Sequence, residues 1–230
     1  MIECIFIGDE LLDGRILNRN QQSIAGFLAV QGYLVKQATS ITDHPDQIET
    51  VIKDAMKRSR IIITTGGLGP TEDDRTTKTI ADTLNLSLFK DDDSIQKIKD
   101  YFNKTNRPFY ESNEKQGLFP NGAIVIPNNN GTAPGFALNY KDTWLFVLPG
   151  PPSEMLPMLN GPVLDLLNKH CSAYQKQLKT SLFKCYGAAE SELSDRLNTL
   201  YPLPKGVNIT FQVRHPEIHI RLHAESEITQ

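Results

Sequence analysis

Cysteine is scarce in this sequence, and its three copies do not pair. Cys4, Cys171 and Cys185 form no Cys-x-x-Cys and are odd in number. That excludes a disulfide framework and a zinc-ribbon spacing, and it is the pattern of a reduced, cytoplasmic protein. Long apolar runs are also missing: none reaches the about 18–20 residues of a membrane span. Met1–Ile7 is too short for a secretion signal and carries no basic segment, so no membrane partner is expected. Neither charge sign dominates. The 24 Lys and Arg against 27 Asp and Glu leave a net charge of −3, which supplies no electrostatic footprint for nucleic acid. Gly (15) and Pro (14) stand near ordinary usage, which excludes collagen-like and low-complexity classes.

What is present is a foldable chain. Its 230 residues are 39% hydrophobic and 22% charged, enough for one large or two small domains. Ile2–Ile7 reads as a buried strand, followed by Gly8-Asp9-Glu10 and a helix of about 11–14 residues that carries Ile24, Phe27 and Leu28. Tyr33–Ile41 reads as a second strand. Asp43-His44-Pro45 then opens a second helix, with Ile48, Val51, Ile52, Ala55 and Met56 on one face. Ile61–Ile63 is a third strand, and helices follow near Thr76–Leu84 and Asp93–Asn103. The Asp91-Asp92-Asp93 run reads as the start of the latter. Ala123–Ile126 is a fourth strand, and Phe136–Tyr140 and Thr143–Leu148 flank a Lys141-Asp142 hairpin turn. Strands alternating with helices imply an α/β domain over residues 1–170 with a mostly parallel sheet. Residues 171–230 read as a smaller α+β module. It has a strand at Gln177–Tyr186, a helix at Ala188–Leu200 with Leu193, Leu197 and Leu200 inward, and strands at Val207–Val213 and Glu217–His223. A polar tail begins at Ser226. His215, His219 and His223 recur every four residues, but the alternation of Ile218, Ile220 and Leu222 places His219 and His223 on a wet strand face rather than in a metal site.

Position carries the functional information. Gly8-Asp9-Glu10, Asp43, Gly66-Gly67-Leu68-Gly69 and Pro149-Gly150-Pro151-Pro152 each follow a strand. In open α/β sheets ligands bind beyond the carboxyl ends of strands, so the four segments point to one site. Glycines let backbone N–H groups approach a phosphate closely. Glu72, Asp73 and Asp74 beside that loop would repel a bare phosphate, a conflict that a divalent cation resolves. The loop is neither Gly-Lys-Ser/Thr nor Gly-x-Gly-x-x-Gly. Simpler roles compete: Asp73 or Asp74 can cap a helix, as can Asp43. Asn128–Gly135 can be a plain loop or can offer amides to a ligand. Pro149–Met155 is a rigid turn into a helix, with Glu154 favoured by the helix dipole. No Gly-x-Ser-x-Gly elbow and no Cys-His pair is legible, and Cys4 reads as core.

Four blocks together resemble the CinA (competence/damage-inducible protein) family. They are Ile7-Gly8-Asp9-Glu10-Leu11-Leu12-x-Gly14-x-Ile16-x-Asn18-x-Asn20, Gly66-Gly67-Leu68-Gly69-Pro70-Thr71-x-Asp73-Asp74-x-Thr76, Asn130-Gly131-Thr132-Ala133-Pro134-Gly135-Phe136, and Leu148-Pro149-Gly150-Pro151-Pro152-x-Glu154-Met155. Asn113, Lys115 and Gln116 belong to a fifth, looser block. The resemblance implies a three-layer MoaB/MogA-like fold, a mostly parallel sheet with flanking helices, followed by a KH-type module. It implies metal-dependent hydrolysis of the ADP-ribose pyrophosphate to AMP and ribose 5-phosphate. Molybdopterin-type ligand binding or transfer, or a non-catalytic nucleotide-binding module, is the alternative.

By that resemblance Asp74 and Asp43 are catalytic positions; the residues themselves offer Glu10, Glu72 or Glu154 as the base, and Glu10 is taken with Asp43 and Asp74 as the catalytic set. Asp43, Asp73 and Asp74 would hold Mg, Mn or Co. Gly66, Gly67, Gly69, Thr71, Asn113, Asn130, Gly131, Thr132, Pro149, Gly150 and Glu154 would bind a small nucleotide substrate. A homodimer is expected by the same analogy. Asp9 stands where the family's opening has Thr. The Gly-x-x-Gly clamp of RNA-binding KH domains is absent from 171–230, which holds seven Lys or Arg and six Asp or Glu. The family's deamidase domain has no counterpart in these residues, so deamidation is not expected of them.

Overall fold

The computed structural model describes residues 1–226. They form two compact units, one of Met1–Leu28 with Leu34–Tyr174, the other of Ala29–Tyr33 with the chain from Gln175. The polar tail expected past Ser226 lies outside the described residues. No helix among them is long and apolar enough to cross a membrane.

In the first unit the elements run β1 (Ile2–Ile7), α1 (Asp9–Leu12), α2 (Arg19–Val30), β2 (Val35–Ile41), α3 (Pro45–Arg58), β3 (Ile61–Thr65), α4 (Thr76–Leu84), β4 (Leu88–Lys90) and α5 (Asp92–Lys104). A 3₁₀ segment, Glu111–Gly117, leads to β5 (Leu118–Pro120), β6 (Ile124–Ile126), β7 (Gly135–Tyr140), β8 (Thr143–Leu148), α6 (Pro152–Met158) and α7 (Leu164–His170). The main sheet has the order β2-β1-β3-β8-β7-β6. Its first four strands are parallel, and β7 and β6 are antiparallel additions. β1, β3 and β8 are buried along their whole length, as strands covered on both faces must be, and they read as unbroken apolar runs for that reason. α3 buries Ile48, Ile52 and Ala55, the stripe that its 3.6-residue period predicts. Lys141 and Asp142 both have positive φ, the geometry of a tight two-residue hairpin.

Register fixes the functional edge. Ile7 lies opposite Ile41, Phe6 opposite Thr65, and Thr65 opposite Leu148. The four parallel strands therefore end level with one another. β7 runs the other way, with Phe136 opposite Val147, so its start is at that same edge and carries the 128–134 loop there.

Several expectations shift. The first helix arrives as one turn, α1, and then as the 12-residue α2, displaced by the 13–18 loop. β2 starts at Val35, not Tyr33. The β4–β5 ribbon was not anticipated: its strands are three residues each, too short for an alternation to register. In the second unit β9 (Gln177–Tyr186), α8 (Glu190–Leu197), β10 (Val207–Arg214) and β11 (Glu217–Ser226) form an antiparallel sheet of order β10-β11-β9 with one helix. α8 ends at Leu197, and Leu200, in the 3₁₀ turn beyond it, is 53% exposed rather than inward. His219 is 7% exposed, so the expected wet face fails there. β11 is the central strand, Lys184 and Gln212 flank His219 on it, and His219 Nε2 lies 2.8 Å from Glu217 Oε2.

Candidate functional site

A cleft of about 310 Å³ opens at the level strand ends. Segments from every predicted strand end line it: Glu10 after β1, Asp43 after β2, the Gly66–Asp74 loop after β3, and Pro149–Pro151 with Glu154 after β8. Gln116, Thr132 and Ala133 complete the wall.

The glycine loop is shaped by two positions. Gly66 (φ 108) leaves no room for a Cβ, which would strike the Ile7 carbonyl. Gly67 (φ 69) likewise faces Thr76 Oγ1. Thr76 fastens the turn, donating from Oγ1 to the Gly66 carbonyl (3.0 Å) and from its N–H to the Gly67 carbonyl (3.2 Å). The Gly66 N–H is already used, donating to Leu148 O at 3.0 Å, so it is not free to bind phosphate. Among the described residues the N–H groups of Gly67, Leu68 and Gly69 have no protein acceptor. Three successive unpaired donors are what an anion-binding concavity is built from.

Carboxylates face it. Asp43 is not the cap of α3: His44 occupies that position, and no side chain caps it. Burial first, then the negative charges of Asp9 and Asp73, hold the Asp43 carboxyl above the usual aspartate range. Asp9 was not among the predicted site residues, yet its Oδ1 also accepts from the Asp43 N–H at 3.4 Å. Glu154 is half-buried. Desolvation raises its pKa against the opposing effect of Asn128, whose Nδ2 donates to Glu154 Oε2 at 2.6 Å.

Asp74 lines the cleft but is occupied with the loop itself. Its Oδ2 accepts from the Thr71 N–H (3.0 Å) and Thr71 Oγ1 (2.6 Å). The Asp43–Asp73–Asp74 metal set thus resolves into Asp43 and Asp73 as the open pair, with Asp74 shaping the turn. Among the described residues no three His, Cys, Asp or Glu side chains gather as a metal-holding group. Two carboxylates still suit Mg²⁺, which is held by one or two of them together with substrate phosphate oxygens, and do not suit a tetrahedral zinc site.

Four predicted binding residues do not line this cleft. Thr71 instead holds Asp74, and its carbonyl accepts from Lys115 Nζ. Asn113 is buried within the 3₁₀ segment, where its Oδ1 accepts from the Tyr110 N–H at 3.0 Å. Asn130 is exposed and donates from Nδ2 to Ser153 O at 2.9 Å. Gly131 packs against Glu154, whose carboxylate a Cβ there would strike.

Amides that sequence reasoning left out of the site connect its loops. Gln116 Nε2 donates to Thr132 Oγ1 (3.1 Å) and to Leu68 O (3.4 Å). Asn20 Nδ2 donates to Thr65 Oγ1 (3.2 Å) and Gly150 O (2.7 Å). Asn128 Nδ2 reaches Ala133 O at 3.0 Å as well as Glu154. All three fall in segments that the sequence marks, but their roles are not legible there, because their partners lie up to 130 positions away. The cysteines stay out of the chemistry. All three are free, and burial pushes the Cys4 thiol up to about 12 and Cys171 to about 11, which keeps both protonated.

Residues 3–169 match the family described as probable molybdopterin binding domain. The whole chain is similar to longer proteins. It is 36% identical over 223 residues to a CinA-like protein of Syntrophotalea carbinolica, covering 97% of this chain and 54% of that one. It is 38% identical over 231 residues to a competence-damage inducible protein of Bacillus subtilis, covering 99% and 55%. The chain belongs to the CinA family. It spans about half the length of the curated CinA relatives it matches. Among solved structures, CinA from Thermoplasma acidophilum superposes with TM-score 0.66 at 31% identity, over 72% of this chain and 96% of that chain. MoaB from Thermus thermophilus gives 0.50 at 18% identity, over 74% and 93%, a likeness of fold. This CinA chain therefore has the mostly parallel α/β fold of MoaB, as its motifs imply.

Proposed function

We propose that this CinA-family chain hydrolyses the pyrophosphate of ADP-ribose, giving AMP and ribose 5-phosphate, with Mg²⁺, Mn²⁺ or Co²⁺. The observation that carries this reading is one cleft lined both by Gly67, Leu68 and Gly69, whose N–H groups have no protein acceptor among the described residues, and by the carboxylates Asp43 and Asp73. Donors of that kind suit phosphoryl oxygens, and the acids suit a cation between protein and phosphate.

The chain's own groups divide the work. Gly67, Leu68 and Gly69 bind and orient the diphosphate through their N–H groups, stabilising charge that builds on phosphoryl oxygen. Asp43 and Asp73 hold the cation, which when bound withdraws charge from phosphorus and makes water more acidic. Glu154, half-buried at the cleft wall and steered by Asn128, takes the proton from the attacking water. The water oxygen bonds to phosphorus, the bridging P–O bond breaks, and the leaving phosphate departs with its monoester. Glu10 lines the same cleft. Glu72 does not line it, which leaves Glu154 and Glu10 as the acid–base groups. We further place the chain in the cytoplasm as a homodimer, and take residues 1–170 as the hydrolase domain and 171–230 as a KH-like module.

Incubation with ADP-ribose and each metal tests the reading. AMP release that Asp43→Asn lowers at least tenfold is expected; no AMP with any of the three metals overturns it. A second reading, binding of a phosphorylated pterin without turnover, is favoured by the matched family description. Tight pterin binding with no AMP release would establish it instead.

A further inference from the structure

A second, larger cleft of about 440 Å³ lies on the other side of the 128–134 loop. One wall is a single face of α5: Ser94, Lys97, Ile98, Tyr101 and Lys104 follow the helical repeat and all line it. The opposite wall is Val125, Pro127, Asn129, Gly131 and Thr132. Its floor is apolar, with Ile98 only 2% exposed. Its rim is polar and of mixed charge: Lys97 and Lys104 stand there with Asp91, Asp93 and Asp100. Among the described residues Lys97 and Lys104 have no ion pair, and the Tyr101 hydroxyl and Asn129 side chain have no hydrogen bond. Three neighbouring charges are engaged: Asp91 caps the helix by accepting from the Ser94 N–H, Asp100 accepts from Gln96, and Lys99 sits over Phe109.

The two clefts are separated by the thickness of one strand of chain. Thr132 lines both. Gly131 faces the second cleft, while its absent Cβ makes room for the Glu154 carboxylate of the first. A ligand whose phosphates lie on the glycine loop therefore has a ready place for what is attached to them.

We propose that this second cleft is the nucleoside subsite, taking an aromatic base against Tyr101 and Ile98, with Lys97 and Lys104 offsetting the carboxylates of Asp91, Asp93 and Asp100 toward an anionic ligand and Asn129 facing the ribose hydroxyls. The proposal rests on the hydrolase reading for its diphosphate, but the subsite is testable without turnover. Burial of an aromatic ring against tyrosine and isoleucine favours binding at a site that is largely pre-formed.

The experiment uses the full chain with two probes: AMP with Mg²⁺, followed by calorimetry, and ADP-ribose, followed by kinetics. The variants are Tyr101→Ala and the pair Lys97→Glu with Lys104→Glu, all on the exposed side of α5. A melting curve matched to wild type establishes that each is folded. The expected result is at least tenfold weaker AMP binding in each variant. With ADP-ribose, the expected result is a KM raised at least tenfold while kcat falls less than threefold, the signature of lost uniform binding. AMP affinity and KM unchanged in both variants would overturn the subsite while leaving hydrolysis standing. AMP binding that the variants lose, in a protein that releases no AMP from ADP-ribose, would support the subsite and refute the hydrolase reading.

Discussion

Replacing Gln116 by Leu tests whether the loops of the cleft are held together by neutral amides. The two side chains are close in volume, so packing changes little. The polar loss is specific. Gln116 donates to Thr132 Oγ1 at 3.1 Å, an ordinary length, and to Leu68 O at 3.4 Å; its Oε1 accepts from Asn113 Nδ2, also at 3.4 Å. The two longer contacts lie at the outer limit of useful geometry. The Thr132 bond contributes about 1 kcal/mol. Asn113 is 5% exposed, so its stranded Nδ2 costs about 1 kcal/mol more, whereas half-buried Thr132 can turn to water. A loss of about 2 kcal/mol corresponds to a fall in Tm of about 4–8 °C for a unit of this size. Circular dichroism melting measures it, and a parallel assay should show KM for ADP-ribose rising as the glycine loop and Thr132 come apart. A Tm within about 1 °C of wild type, with KM unmoved, would refute the idea that this amide couples the two loops.

Three further outcomes follow from the geometry. Glu3 is fully buried in β1, accepting from Arg58 Nη2 at 2.6 Å and Ser59 Oγ at 3.0 Å. Arg58→Ala strands that carboxylate and should destabilise by about 2–3 kcal/mol, below the full value for a buried pair because the Arg58 side chain is 38% exposed; urea titration reads it. Gly26 lies within α2 with open space around it, so Gly26→Ala should stabilise by about 0.5–1 kcal/mol, while Gly66→Ala, which strikes Ile7 O, should lower both Tm and turnover. Glu154 is raised by burial, so the folded state binds its proton more tightly than the unfolded chain does. Its contribution to stability is therefore largest in acid and declines as pH rises through the raised pKa. Glu154→Gln should flatten that acid-side slope in a series of melts and remove the rise of activity with pH over the same window.

The sheet and its functional edge were legible because they rest on local periodicity. Ile61–Thr65 is apolar and β-branched over too short a run for a helix, and Thr76–Leu84 follows its loop at the predicted boundaries. Strand ends then placed Glu10, Asp43, the glycine loop and Pro149–Glu154 around one cleft without knowledge of strand order. The roles of individual side chains were less legible, because each depends on a partner that only the tertiary fold supplies. Asp74 lines the cleft as expected but turns to Thr71. Asn113 and Asn130 lie in motif blocks, yet they satisfy backbone groups of the protein, Asn113 the nearby Tyr110 N–H and Asn130 the carbonyl of Ser153 on another segment. Asp9 became part of the acidic group only because β1 and β2 end level. His219 carries the strand alternation of a solvated residue, but as part of the central strand it is covered.

Ties among the cleft's loops include Asn20 to Gly150, Gln116 to Leu68 and Thr132, Asn128 to Ala133, and Asn130 to Ser153, all uncharged. The charged groups that also join these loops, Lys115 on Thr71 O, Glu154 on Asn128 and Asp9 on the Asp43 N–H, each bond a neutral partner rather than a counter-ion. Salt that screens the attraction between an anionic ligand and its cation therefore leaves this scaffold in place. Ionic strength should weaken capture of the ligand while the architecture that receives it keeps its shape.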